Sequence, residues 1–275
     1  MDLNHYQTIV EEFGLILAHG RSVDTALTGK KPAGERQSYA GEVFVKLLAH
    51  CVTMRAIAPD PVFKAEKKLW DLGSLSAVAR CVIETYDALS YVAALTAGDE
   101  ERSFRLLLWS LHDSNRRMHM IQCIGKYDNR LFDLAAKEQR LHEKVVTHPH
   151  FTRIRKNLQR KVMQRDPPES YQSIKERCAE GEINHDYYTA VTMQLSQFVH
   201  TFPFAVHQLF GFKAGSPEAL QLMGLPMQYA MAFLSKSLFD LEKLFPGELP
   251  QPEPDTSRKM GLWCILLKRS TKSAA

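Results

Sequence analysis

The chain has 275 residues, with 35 Lys and Arg against 31 Asp and Glu for a net charge of +4, and is 45% hydrophobic and 24% charged. A fold of this length buries roughly 70–75% of the surface its unfolded chain exposes, so neither disulfides nor a structural metal is required for stability. Cys51, Cys81, Cys123, Cys178 and Cys264 are odd in number, scattered and without a C-x-x-C pair, which argues against a disulfide framework or zinc ribbon and predicts a reducing, cytoplasmic setting.

The N-terminus, Met1-Asp2-Leu3-Asn4-His5, lacks a basic stretch ahead of a small-residue cleavage site and does not read as a signal peptide. Apolar residues at helical spacing predict helices near 4–19 and 36–57, the second ended by Ala58-Pro59-Asp60-Pro61. A proline inside a helix removes a hydrogen bond and clashes with the preceding turn, and none occurs between Pro61 and Pro149. Gly98 and Gly125 fall where the helical pattern breaks, which predicts helices near 74–97, 100–124 and 129–147. Asp166-Pro167-Pro168 is a break, and Glu169 to Glu180 reads as a short exposed helix. A long helix follows near 185–210, bent or interrupted by Pro203, and another near 226–244. Its stretch from Tyr187 to Phe212 comes closest to a membrane span, but Gln194, Gln197, His200, His207 and Gln208 argue against one.

No segment alternates with period two, so the predicted fold is all-α, a multi-helix bundle forming one domain over residues 1–245. Residues 246–275 are predicted to be a proline-rich, flexible, exposed linker and a short apolar and basic tail. The tail segment Met260 to Leu267 could dock on the bundle, meet a partner or touch a membrane, and docking is the plainest reading.

Missing motifs remove whole reaction classes: the sequence has no Walker A loop, G-x-G-x-x-G, G-x-S-x-G or H-E-x-x-H. His142-Glu143 fails the last of these because position 146 is valine. In the apolar stretch from Leu72 to Thr96 the only charged side chains are Arg80, Glu84 and Asp87, at spacings that place them on one face with Ser76 and Tyr91. That face is either a narrow strip in water or a polar line pointing into the bundle. Tyr187 to Phe212 contains no Asp, Glu, Lys or Arg, which implies burial on most sides, and Thr192, Ser196 and His200 form a second ridge on it. The plain reading of His200 is a satisfied core imidazole; facing Arg80 and Glu84, it would be a proton-transfer or ligand-binding group.

His112, Arg116 and His119 make a third line, on the helix near 100–124. Carboxylate-bridged metal sites in helical bundles repeat Glu-x-x-His, and no such repeat occurs here, so no metal and no cofactor are predicted. Between Phe151 and Arg165, six cations including Arg153, Arg155, Lys156, Arg160 and Lys161 stand against no acid, a pattern that is either a solvated face or a nucleic-acid contact.

The segment Ser76-Ala77-Val78-Ala79-Arg80-Cys81-Val82-Ile83-Glu84-Thr85, followed by an apolar helix, Tyr188 and Ser196-Gln197-Phe198-Val199-His200, resembles the domain of unknown function 5677 family. These are uncharacterised, largely bacterial helical proteins with an Arg-x-x-x-Glu helix and a later Ser-x-x-x-His helix. The resemblance covers residues 35–210 in order of elements and implies Arg80, Glu84, Ser196 and His200 on facing helices, with no activity attached. Thr201-Phe202-Pro203 stands where small residues would be more family-like. The HEPN ribonuclease pattern, Arg followed by His after four to six residues, is not matched by Arg140 and His148 or by Arg177 and His185.

The leading expectation is an interhelical polar pocket of Arg80, Glu84 and His200, joined by Ser196 and by His112 or Arg116, that binds an anionic small molecule, nucleotide or RNA. Arg80, Glu84 and His200 are also its candidate catalytic groups, and the sequence does not decide between enzyme and binder. The alternatives are a non-catalytic interaction module using the basic 151–165 surface and the C-terminal tail, and a structural bundle whose polar stripes face water.

Overall fold

The computed structural model describes residues 1–60, 70–125 and 130–268. Pro61, position 129 and the last part of the tail, 269–275, lie outside the described residues. Eleven α-helices and one 3-10 turn account for the regular structure, and no strand occurs among the described residues. The protein is an all-α, multi-helix fold.

Where one domain was expected over 1–245, the chain divides into two compact units, Met1–Ala93 with Cys178–Ala275, and Ala94–Arg177. Helical periodicity marks which face of a helix is apolar but not which other helix covers it, so a second core is invisible to it.

The first unit contains α1 (Leu3–Leu27), α2 (Glu35–Ile57), α3 (Leu72–Ala93), α8 (His185–Val199), α9 (Pro203–Leu209), α10 (Pro217–Leu244) and α11 (Pro254–Lys268). Here α3 packs against α2, α10 and α8, while α10 also packs against α1 and α11. Tyr6, Phe13, Phe44, Leu75, Tyr86 and Phe233 are fully buried in this core. The helix starts follow local chemistry: Asp2, Asn184 and Ser216 each accept from a backbone N–H three residues on, satisfying an otherwise orphaned donor. α1 runs well past its expected end because Gly20 interrupts nothing. It is a point of close approach, where a Cβ would lie 2.9 Å from Leu48 Cδ1.

α10 begins at Pro217 and carries Pro226 inside it, although the sequence placed the helix start near that proline. Met223, Gly224, Pro226 and Met227 are all buried, so tertiary packing holds the helix through the lost hydrogen bond. Residues 246–275 were expected to hold a flexible linker and no helix, and Pro254–Lys268 is instead helical; its apolar part docks as its plainest reading had it, with Thr256, Met260 and Leu267 buried and contacts to α10 and α1. Pro254 is the first residue of that helix, where its missing N–H costs nothing.

The second unit holds α4 (Asp99–Ile124), α5 (Arg130–Thr147), the 3-10 turn Pro149–Arg153 and α6 (Lys156–Met163). Its core is Phe104, Leu108, Leu111, Val145, Phe151, Ile154 and Val162. Gly125, left-handed at φ 70°, closes α4. α7 (Ile174–Glu180) spans the boundary and is shorter than the expected 169–180. A capping box sets its start: Ser173 N–H donates to Glu176 Oε2 at 2.6 Å, and Glu176 N–H to Ser173 Oγ at 3.3 Å.

Candidate functional site

Two elements far apart in sequence do meet in the first unit. Arg80 on α3 donates from Nη1 to Ser196 Oγ and to Thr192 O at 3.2 Å on α8, and from Nε to Glu84 Oε1 at 2.8 Å. One turn along, Tyr188 Oη donates to Asp87 Oδ2 at 2.5 Å. The α3–α8 contact therefore includes a polar seam, on a helix whose Val191, Leu195 and Phe198 are buried.

The seam is open rather than buried. The Arg80 side chain is 33% exposed and Glu84 is 55% exposed. His200, one turn beyond Ser196, is also exposed. It caps the end of α8, its N–H bonded to Ser196 O at 3.0 Å and its ring 5.4 Å from that of Phe202. No hydrogen bond or ion pair engages that ring among the described residues. A buried imidazole facing a buried Arg–Glu pair is thus not what the chain builds. α8 exposes Thr189, Ala190 and Met193, because a stretch without charge need not be a stretch without water. The α3 stripe also splits, since a step of four residues turns the face by about 40°. Ser76 and Tyr91 are buried while Glu84 is exposed.

His112 and Arg116 belong to the second unit and are engaged there. His112 Nδ1 lies 2.9 Å from Pro167 O, Asn115 donates to Arg165 O at 2.8 Å, and Arg116 pairs with Asp166 at 3.0 Å. His142 Nε2 meets Val162 O at 3.1 Å. His112, Asn115 and His142 thus pin the 162–167 backbone and Arg116 the Asp166 side chain, a positioning role that helical spacing could not reveal. His119 is exposed.

The basic segment is partly neutralised by acids that its local sequence lacks. Arg153 pairs with Glu100 at 2.9 Å, Arg155 lies 3.6 Å from Glu176 and donates to Tyr171 O at 2.7 Å, and Arg165 pairs with Glu138 at 2.6 Å. Lys156, Arg160 and Lys161 on α6 are exposed and have no ion pair among the described residues.

Two further polar clusters escaped the sequence reading. In the second unit, Arg105, 2% exposed, donates to Glu101 Oε1 at 2.5 Å and stacks 5.9 Å from the Tyr171 ring, whose hydroxyl also bonds Glu101. Burial alone would raise the Glu101 carboxyl, but the bonds from Tyr171 and Arg105 and the nearby positive charge hold it below its ordinary value. In the first unit, Asp240 on α10 accepts from Lys236 Nζ at 2.6 Å on both oxygens and from Tyr86 Oη at 3.2 Å. Lys236 and Asp240 are the only charged residues between Ala219 and Leu241, the same signal that singled out Arg80 and Glu84.

Among the described residues no group of three or more His, Cys, Asp and Glu could hold a metal ion, and no helix is long and apolar enough to cross a membrane. None of the five cysteines forms a disulfide. No family model, curated protein or solved structure matches this chain.

Proposed function

We propose that the first unit is a binding protein for an anionic group, a phosphate or carboxylate, recognised at the α3–α8 seam by Arg80, which Ser196 helps to hold in place, and by His200. The observation that carries this reading is the state of the Arg80 guanidinium. Nε and Nη1 are fixed by Glu84, Thr192 and Ser196, the side chain remains one-third exposed, and Nη2 has no partner among the described residues. A guanidinium held in place with two N–H groups to spare loses little freedom on taking an anion, and charge-assisted bonds of this kind are the strong ones. His200, one turn on along the same helix face, supplies a second donor. Glu84 orients the arginine but competes with the ligand, so affinity should be modest. The seam is open to water, which favours recognition over bond-breaking chemistry. The resemblance to an Arg-x-x-x-Glu and Ser-x-x-x-His family agrees with this grouping and brings no activity with it.

The test is calorimetric titration of the full chain with inorganic phosphate, nucleoside monophosphates and a short RNA. Binding that disappears in Arg80→Gln and weakens in His200→Ala, with unchanged circular dichroism, supports the reading. Affinity indifferent to both substitutions removes it.

A second reading, nucleic-acid contact through α6, is favoured by one specific observation, the three unpaired cations Lys156, Arg160 and Lys161. If they are the contact, replacing all three with Gln lowers the slope of log K against log salt by about two to three. Arg153, Arg155 and Arg165, already paired with carboxylates, should contribute less.

A further inference from the structure

A cleft of about 310 Å³ opens between α10 and α11 of the first unit, lined by Lys236, Phe239, Asp240, Lys243, Cys264 and Lys268. Its floor is already satisfied. The Asp240 side chain is 5% exposed, and both of its oxygens are occupied by Lys236 and Tyr86. The Lys236 ammonium also stands 5.8 Å from the centre of the Tyr86 ring, a cation–π contact that holds it in place.

The rim is different. Lys243 Nζ lies 3.8 Å from Asp240 Oδ1 with most of its side chain in water, and Lys268 pairs at 2.5 Å with Glu182, itself largely exposed. The Lys268–Glu182 pair is exposed on both sides and contributes about 0–1 kcal/mol, while Asp240 is already served by Lys236 and Tyr86 without Lys243, so either lysine can exchange its carboxylate for a ligand's at small cost. The walls are the half-buried Phe239 ring and Cys264. Burial pushes the Cys264 thiol up to about 11, against the pull of Lys236, Lys268 and Lys243. At neutral pH it is therefore almost wholly the uncharged thiol, an apolar wall that reacts only slowly as a nucleophile.

Charge and size select the ligand. Lys236, Lys243 and Lys268 are balanced by Glu182, Asp240 and Glu242, so a polyanion would meet as many carboxylates as cations. A single carboxylate needs only the two loosely held lysines, and an apolar body suits the walls. The volume is at the small end of ligand sites, which run from about 300 to 1,000 Å³. We propose that this cleft binds a small amphipathic monocarboxylate, its head on Lys243 and Lys268 and its apolar body against Phe239 and Cys264. The site shares no residue with the α3–α8 seam and stands or falls separately from it.

The experiment titrates the full chain with octanoate, octyltrimethylammonium and octanol by calorimetry, and follows maleimide labelling of Cys264 by peptide mass spectrometry. Octanoate should saturate by about 1 mM, slow the labelling of Cys264, and bind better than either of the other two. The double variant Lys243→Ala, Lys268→Ala, which leaves the Lys236–Asp240–Tyr86 floor and hence the fold intact, should bind octanoate at least about tenfold more weakly. Arg80→Gln should bind it as the unmodified chain does. No saturation by about 10 mM, no protection of Cys264, undiminished affinity in the double variant, or equal binding of the octyl cation would each overturn the proposal.

Discussion

Arg80 Nη1 reaches both Ser196 Oγ and Thr192 O, so one guanidinium ties α3 to α8 across more than a hundred positions of chain. Its bond to Glu84 is a different matter, an exposed pair in the less favourable Arg-before-Glu order. The two interactions should therefore separate. Arg80→Gln is expected to cost about 1–2 kcal/mol through the lost interhelical bonds. Glu84→Gln is expected to cost less than about 0.5 kcal/mol. Urea denaturation of the two variants measures both, and equal losses would show that the seam is not held by the arginine.

The Asp240 network predicts a larger and non-additive effect. Both Asp240 and Lys236 are nearly buried, at 5% and 12% side-chain exposure, and each is the other's main partner. Asp240→Ala leaves the nearly buried Lys236 ammonium without its bonded carboxylate and should cost about 3–5 kcal/mol. Replacing the pair together, Lys236→Met with Asp240→Leu, should restore most of that, since two well-packed apolar groups carry no desolvation cost. Thermal melts of the single and double variants close the cycle. A double variant as unstable as Asp240→Ala would mean that packing, and not charge, is what the site supplies.

The fold was legible wherever punctuation is local. Gly98 and Gly125 bracket α4, Pro203 separates α8 from α9, and the helices near 36–57 and 74–97 appear at close to their expected limits. Tertiary choices were not legible. Pro226 looked like a helix start and lies inside α10, because buried neighbours outweigh one missing hydrogen bond. The prolines before Thr256, Met260 and Leu267 obscured the helix α11, although the apolar content of the tail did point to docking. At the site, the meeting of Arg80 with Ser196 followed from two rare polar ridges on apolar helices. The exposure of His200 did not, since freedom from charge says nothing about which side of α8 faces water. The acids that neutralise Arg153 and Arg165, Glu100 and Glu138, come from other helices and leave no trace in the basic segment.

The second unit has its own core, with Phe104, Leu108 and Leu111 of α4 against Val145, Phe151 and Val162. Side chains of α4 and α5 also bond the 162–167 backbone within the unit. Residues 94–177 expressed alone should therefore fold to a helical domain with a cooperative thermal transition, as domains of this size with a closed core do. Circular dichroism with a melting curve decides it. A broad, non-cooperative melt would mean that this core does not suffice by itself.

Acid sensitivity should begin with histidines rather than carboxylates. Burial holds His19, His50 and His150 below their ordinary value of 6.5; Glu242 opposes this for His19, and Lys46 reinforces it for His50. Around His150, burial is opposed by Glu101 and Glu100 and reinforced by Arg153 and His148, while the rings of Phe104 and Tyr171 pack on it at 5.1 and 5.4 Å. Its Nδ1 is buried without a hydrogen bond, 3.9 Å from Glu100. A histidine depressed in the folded state binds fewer protons there than when unfolded, so it contributes stability that is complete above 6.5 and is lost as pH falls through the lower folded value. Denaturation free energy should thus begin to fall as pH drops below 6.5, ahead of the window in which Glu101 and Asp71, held below their ordinary carboxylate values, lose their own contribution. His150→Gln should flatten the first part of that curve while leaving the carboxylate part in place. A curve already flat above pH 5 in the unmodified chain would show that these imidazoles take up protons as readily folded as unfolded.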